Sequence, residues 1–408
     1  VPSVRKEVEV ISGISRSKQR VCAALLGVVI VAASVAVSAE EPAPPKRAEK
    51  PGTIVADFKT GGQVWSSPVH HEGSIYIGSD DNSLWALDLE TLKPRWKVDT
   101  GGRVRSKPAI DNDTVYFVSD DGFLRKVSAA DASEAWRFDL GSAGVERVFP
   151  SLQPPYSYDY LSSSPTLHNG MVLVGSANGT LYAIDAKTGS EKWRFDTGGR
   201  IRSTPRVHQN RVFFGSWDHH VYALDTTNGK QIWRFDTGGI VQATPAVGDG
   251  RVYIGSRNPK VFALDEATGE HVWEFVHEDG SWVESSGIYA DGILYVGSSD
   301  ALKLFALDGA TGEVRWEYRT GGWSWCTPTI SGETIYIGSI SASPYYFEGV
   351  TLERGLHAVD LKTGKGRWVV PTGTLPGFIT GGVMSTPLVV DGKVIVGALD
   401  NRLVVVAE

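Results

Sequence analysis

Cysteine is nearly missing from this chain: its 408 residues include two, Cys22 and Cys326. Cys22 lies in an apolar run near the start, so loss of that run would leave a single thiol. An internal disulfide is then excluded in any compartment, and stability has to come from packing. No CxxCH segment occurs, which leaves no haem-attachment site for passing electrons onward. The formal net charge is −7, and the body of the chain has no basic block. That argues against nucleic acid as the main partner. The acidic balance says little beyond solubility.

Long apolar runs are missing too, with one exception. Arg16, Lys18 and Arg20 precede "VCAALLGVVIVAASVAV", residues 21–37. The run is a little short for a membrane-spanning helix, which wants about 20 residues. A basic start, the apolar run and the small residues "VSA" ending at Ala39 read as a secretory signal cleaved after Ala39. An uncleaved anchor is the alternative. Cys22 stands at the start of the run, badly placed to carry a lipid after cleavage. Loss of residues 1–39 removes five basic and two acidic residues and moves the net charge from −7 to about −10. Residues 40–52, with Pro42, Pro44, Pro45 and Pro51 among charges, read as a disordered spacer. The expected location is the periplasm or outside the cell, with membrane anchoring as the runner-up.

What the chain has in abundance is repetition. "AIDAKTGSEKW" starts at 183, "ALDTTNGKQIW" at 223, "ALDEATGEHVW" at 263, "ALDGATGEVRW" at 306 and "AVDLKTGKGRW" at 358. "ALDLETLKPRW" at 86 and "KVSAADASEAW" at 126 are worn copies. A repeat of this kind decides the fold before anything else. Each unit holds four short β-rich runs between Gly, Asp and Asn turns, which are hairpin signals. Four antiparallel strands per period is a propeller blade, and blades must stack around an axis to bury their faces.

The motif residues have structural work to do. The aspartates Asp185, Asp225, Asp265, Asp308 and Asp360 can accept backbone N–H bonds in the turn. Gly189, Gly229, Gly269, Gly312 and Gly364 permit positive φ. Trp193, Trp233, Trp273, Trp316 and Trp368 can fill the widening gap between blades.

Eight segments open the units: "VWSSP" at 64, "VRSKP" at 104, "LSSSP" at 161, "IRSTP" at 201, "VQATP" at 241, "VESSG" at 283, "SWCTP" at 324 and "VMSTP" at 383. The last unit stops after its third strand, and "TIVADFKTGG" at 53–62 matches the missing fourth. The expectation is therefore an all-β, eight-bladed propeller over residues 53–408, closed by the amino-terminal strand.

With these motifs in view, the unit resembles the pyrroloquinoline quinone (PQQ) enzyme repeat and its "AxDxxTGxxxW" docking motif, over essentially residues 53–408. The superfamily includes periplasmic quinoprotein alcohol dehydrogenases. It also includes non-enzymatic propellers, among them the lipoprotein of the outer-membrane protein assembly machine. The resemblance implies the fold and leaves the function open.

Insertions fall at 142–163, 276–285, 339–355 and 370–382, all expected on the face that carries the connections between blades. They bring aromatics, so Tyr156, Tyr158, Tyr160, Trp217, Trp282, Tyr345, Tyr346 and Phe347 are candidate partner-binding residues. Equivalent positions of the eight opening segments hold Trp65, Arg105, Ser162, Arg202, Gln242, Glu284, Trp325 and Met384, which should ring the axis near that face. Arg105 and Arg202 could face an anion.

The family's enzymes hold PQQ with a stacking ring, cationic donors and a hard cation. On that resemblance Trp65, Trp325, Arg105, Arg202, Arg257 and Glu284 would be the cofactor site, with calcium. The adjacent-cysteine disulfide common in those enzymes has no counterpart here, and their catalytic base cannot be carried over residue by residue.

The reading taken forward is a non-catalytic cell-envelope propeller, a monomer by itself. It would bind an envelope protein or complex through its loop-rich face, with no cofactor or metal. The alternatives are a PQQ-dependent alcohol or sugar dehydrogenase and an extracytoplasmic ligand-sensing or polysaccharide-associated module.

Overall fold

Each period folds into four antiparallel strands. In the third blade these are Thr166–His168, Met171–Gly175, Thr180–Asp185 and Glu191–Asp196, hydrogen-bonded in that order from the axis outward. The computed structural model describes residues 49–147, 159–277, 280–343 and 349–408. The signal reading lies outside the described residues, as do Tyr156, Tyr158, Tyr345, Tyr346 and Phe347. Among the described residues no helix is long and apolar enough to cross a membrane.

Eight such sheets form the propeller. The second and third strands of a blade are buried along their length, as in Met171–Gly175, because neighbouring blades cover both faces. The outermost strand alternates between buried and exposed. In five of the eight blades the turn between first and second strands uses two residues with positive φ, such as Asn169 at 45° and Gly170 at 72°. That geometry matches the right-handed twist of the strands it joins.

The repeated Ala, Asp, Gly and Trp explain one another. Ala183, Ala223, Ala263, Ala306 and Ala358 each lie directly opposite the motif tryptophan of their blade. The indole then spans the gap to the next blade. Trp193 Nε1 donates to Thr226 O at 3.0 Å, and Trp233 Nε1 to Glu266 O at 3.0 Å. Each such bond is worth about 1 kcal/mol net. The same ring covers the next blade's motif glycine: a Cβ on Gly229 would meet Trp193. Asp185 Oδ1 accepts the amides of Lys187 and Thr188 at 3.0 and 2.8 Å and so shapes the turn. The half-buried Asp308 carboxyl is held down at about 2, first by its hydrogen bond from Arg315 and then by the Thr311 amide.

The ring closes with a strand from each end of the sequence. Ile54–Lys59 pairs antiparallel with Arg402–Ala407 and completes the eighth sheet. Gly52 belongs to this closure: its amide donates to Ala407 O at 3.0 Å. A Cβ on it would fall 2.9 Å from the ring of Trp368. Gly52 thus occupies the place that a motif glycine holds at five other seams, one residue before the boundary drawn from sequence.

Candidate functional site

Connections between blades and loops from second to third strands meet on one face. The amide of Asp80, in such a loop, donates to Gln63 O in an entering segment at 2.9 Å. Two insertions on this face also pair with each other. Thr334–Ala342 extends past its blade, and Ile340 and Ser341 align with Gly382 and Gly381 of the strand Ile379–Gly382. The opposite face holds short turns, where Leu89 N donates to Gly73 O at 2.9 Å.

Four of the six residues read as an axial site, Trp65, Arg105, Arg202 and Trp325, line one cavity of about 280 Å³ on the axis. Arg257 and Glu284 are not in its lining. They form a buried ion pair with each other, and the Arg257 guanidinium lies 5.4 Å from the Trp217 ring and 5.1 Å from the Trp282 ring.

The charges follow a rule that links neighbouring blades. The residue after the last serine of each second strand forms a second series: Asp80, Asp120, Ala177, Trp217, Arg257, Ser299, Ile340 and, after Ala398, Leu399. Two members bind the axial residue of the following blade. Asp80 takes Arg105 in a two-pronged contact at 2.8 and 2.5 Å, and Arg257 takes Glu284. Two positions are left unmatched. Asp120 precedes a blade whose axial residue is the neutral Ser162, and Arg202 follows a blade that offers Ala177.

The insertion between the second and third blades supplies both missing partners. Arg147 grips Asp120 with two bonds of 2.6 Å and donates to Ser162 Oγ at 2.7 Å. Asp159, 1 % exposed, accepts from Arg202 at 2.6 Å and from Arg200 at 2.7 Å. Burial pushes the Asp120 carboxyl up. The hydrogen bond and charge of Arg147 outweigh it and hold the group below its usual range.

Tyr160 follows directly. It stacks on Trp65 with ring centroids 4.9 Å apart and planes 7° apart. It also meets Trp325 at 5.7 Å, and Trp325 stacks on Trp323 at 4.8 Å and 8°. Four rings thus run across the axis. They join Met384, Leu399, Ile340, Ile379 and Leu352 in one apolar cluster. Tyr160, expected as a partner contact, is 5 % exposed and packs inside. Trp282 is partly buried against the same cluster, and Trp217 is partly buried with the Arg200 guanidinium 5.4 Å from its ring. Sequence reading missed Asp80, Asp120, Arg147 and Asp159. For the first two, the repeated Ser-Asp after a second strand was the available signal.

On the opposite face His71, Glu72 and Asp113 place potential ligand atoms within 4.8 Å of one another. Glu72 and Asp113 are exposed and lie in turns.

A family model described as outer membrane protein assembly factor BamB matches residues 47–161, 143–276 and 218–408. No curated protein matches. Among solved structures, BamB from Moraxella catarrhalis is 20% identical, covering 70% of this chain and 86% of that one, with a TM-score of 0.59. The quinohemoprotein alcohol dehydrogenase from Comamonas testosteroni is 16% identical over 87% of this chain and 76% of its own, with a TM-score of 0.65. The computationally designed Ika8 protein reaches the same TM-score at 16% identity, over 86% of this chain and 98% of that one. A likeness shared by an assembly factor, an enzyme and a design is a likeness of fold.

Proposed function

The chain belongs to the outer membrane protein assembly factor BamB family, and from that premise we propose that it is a non-catalytic envelope propeller that docks a protein of the outer-membrane assembly machine through its loop-rich face. One observation carries this reading: the chain fills its own axial site. A flat, carboxylated quinone needs an aromatic face and free cations. Tyr160 takes the face of Trp65, and Asp159 and Asp80 take the charges of Arg202 and Arg105. A calcium ion needs oxygen ligands free of a cation, and Glu284 is bound to Arg257. The residues present therefore do not fit PQQ and calcium.

The docking face is built from the paired insertions at 339–343 and 379–382. Val350, 37 % exposed, is a large apolar side chain at their rim. Protein interfaces concentrate binding energy in a few anchors of this kind of setting.

The test has two arms. A photo-crosslinking residue at Val350, in cells, should capture a component of the outer-membrane assembly machine, and exchange of residues 344–348 for a Gly-Ser linker should abolish capture. Purified protein supplied with PQQ and calcium should give no dye-linked alcohol or sugar oxidation. Turnover that disappears in Arg105→Gln or Glu284→Gln, without capture, would replace this reading with the quinoprotein dehydrogenase.

A further inference from the structure

Below the aromatic run the axial cavity changes character. Two residues after each axial position, the eight opening segments carry seven hydroxyl side chains and one lysine, Lys107. All eight line the cavity, and Arg206 lies one step deeper on the fourth blade's innermost strand, Arg206–His208. No aspartate or glutamate is in the lining.

The hydroxyls point their hydrogens in a defined sense. Ser164 Oγ accepts the amide of Lys107 at 2.9 Å, and Thr204 Oγ1 that of Ser164 at 3.1 Å. Ser286 Oγ accepts the amide of Thr244, and Ser67 Oγ that of Thr386, at 2.8 and 2.9 Å. A hydroxyl whose lone pair is taken by a backbone N–H has its own O–H left to give. Four of the tier's seven hydroxyls therefore have an O–H to give.

The two cations are unlike the arginines above them. Among the described residues neither Lys107 nor Arg206 has a carboxylate within ion-pair distance. The one protein hydrogen bond from the Arg206 side chain goes to Pro245 O at 3.3 Å. Both residues are exposed to solvent. Partial desolvation by the surrounding wall depresses both groups, and the charge of Arg206 depresses Lys107 further. Two like charges that face one channel with no carboxylate between them repel, and a bound anion would relieve that repulsion.

We propose that this tier of the axial channel is a binding site for a small multivalent oxyanion of the phosphate or sulfate type, held by Lys107, Arg206 and the ring of hydroxyls. Planar recognition is disfavoured, since the tier has no aromatic face of its own and the rings above are stacked on each other. A tetrahedral anion matches converging O–H and cationic donors. The site is separate from the loop-rich face and does not depend on what docks there.

The full propeller is titrated with inorganic phosphate and with sulfate, against chloride at equal ionic strength, by calorimetry and thermal melting. Phosphate or sulfate should give a saturable isotherm and raise Tm, and chloride should do neither. Lys107→Met with Arg206→Gln should weaken binding roughly a hundredfold, as expected for the loss of two charge-assisted contacts. The same double variant should melt no lower than the parent in chloride, because a repulsion is gone. Lys107→Arg keeps the charge and should keep the response. An equal response to chloride, an undiminished isotherm in the folded double variant, or a folded Lys107→Arg that no longer responds would each overturn the assignment.

Discussion

Tyr160 stacks on Trp65 at 4.9 Å, nearly parallel, while its neighbour Asp159 neutralises Arg202. Two consecutive residues of an insertion thus provide an aromatic plane and a carboxylate at the axis. Asp159→Asn should destabilise the fold by about 3 kcal/mol, since it leaves buried guanidinium groups without their charge partner. Tyr160→Ala should cost about 3 kcal/mol through the cavity it opens. The two changes are adjacent and should not add. Urea unfolding measures this, and a loss under about 1 kcal/mol for both would mean the insertion only rests on the axis.

A pair of glycines separates backbone strain from seam packing. Gly52 and Gly250 have φ of 78° and 70°, but Gly52 lies against Trp368 and nothing stands within 4 Å of a Cβ on Gly250. Gly250→Ala should cost about 1 kcal/mol for the left-handed backbone alone. Gly52→Ala should cost a further 1–3 kcal/mol, roughly the usual price of overpacking. Equal melting temperatures for the two variants would contradict the role given to Gly52.

His357 makes stability depend on pH. Its ring is buried between Ser339 Oγ at 2.8 Å and Tyr318 OH at 3.2 Å, and burial lowers its pKa to about 4. The unfolded chain binds this proton near pH 6.5 and the folded chain only near pH 4. Stability is therefore full above pH 6.5 and falls as the pH drops from 6.5 to 4, by about 3 kcal/mol from this residue. Denaturant unfolding across that range should show the slope in the parent and a weaker one in His357→Gln.

Cys326 stands where six of the other seven blades have serine. Its Sγ accepts the amide of Gly338 at 3.1 Å, as Ser285 Oγ accepts Gly297 and Ser385 Oγ accepts Gly397. Burial pushes the thiol up to about 12. A thiol reagent should leave Cys326 unmodified in the native protein and label it fully in denaturant. Cys326→Ser should stay within about 1 kcal/mol of the parent. Cys326→Val should lose about 1–3 kcal/mol, because the Gly338 amide is left buried and unpaired.

The blades, their number and the strand that closes them were legible because the repeat writes packing into every period. Ala, Asp, Gly and Trp recur where an indole has to cross to the next blade. The axial ring was legible only as a set of positions. Arg105 and Arg202 read as cations available to an anion, because their carboxylates come from elsewhere: Asp80 from the preceding blade and Asp159 from an insertion with no period. Local pattern carries no record of such a partner. Lys107 and Arg206 were in plain view, yet nothing in their spacing says that no carboxylate reaches them.

Arg402 bonds Asp57 across 345 positions of chain at 2.9 Å, within the sheet that joins the two ends. Closing so long a loop costs about 5 kcal/mol of chain entropy. Before it closes, the strand Ile54–Lys59 is synthesised and then left without its partner while every blade forms. Its outward side chains Ile54 and Val55 stay about 40 % and 39 % exposed even when paired. In a concentrated solution the same strand could be accepted by the open blade of another molecule with identical hydrogen bonds. The ring is thus a kinetic race between closing on itself and exchanging ends with a neighbour, and dilution during refolding favours the first.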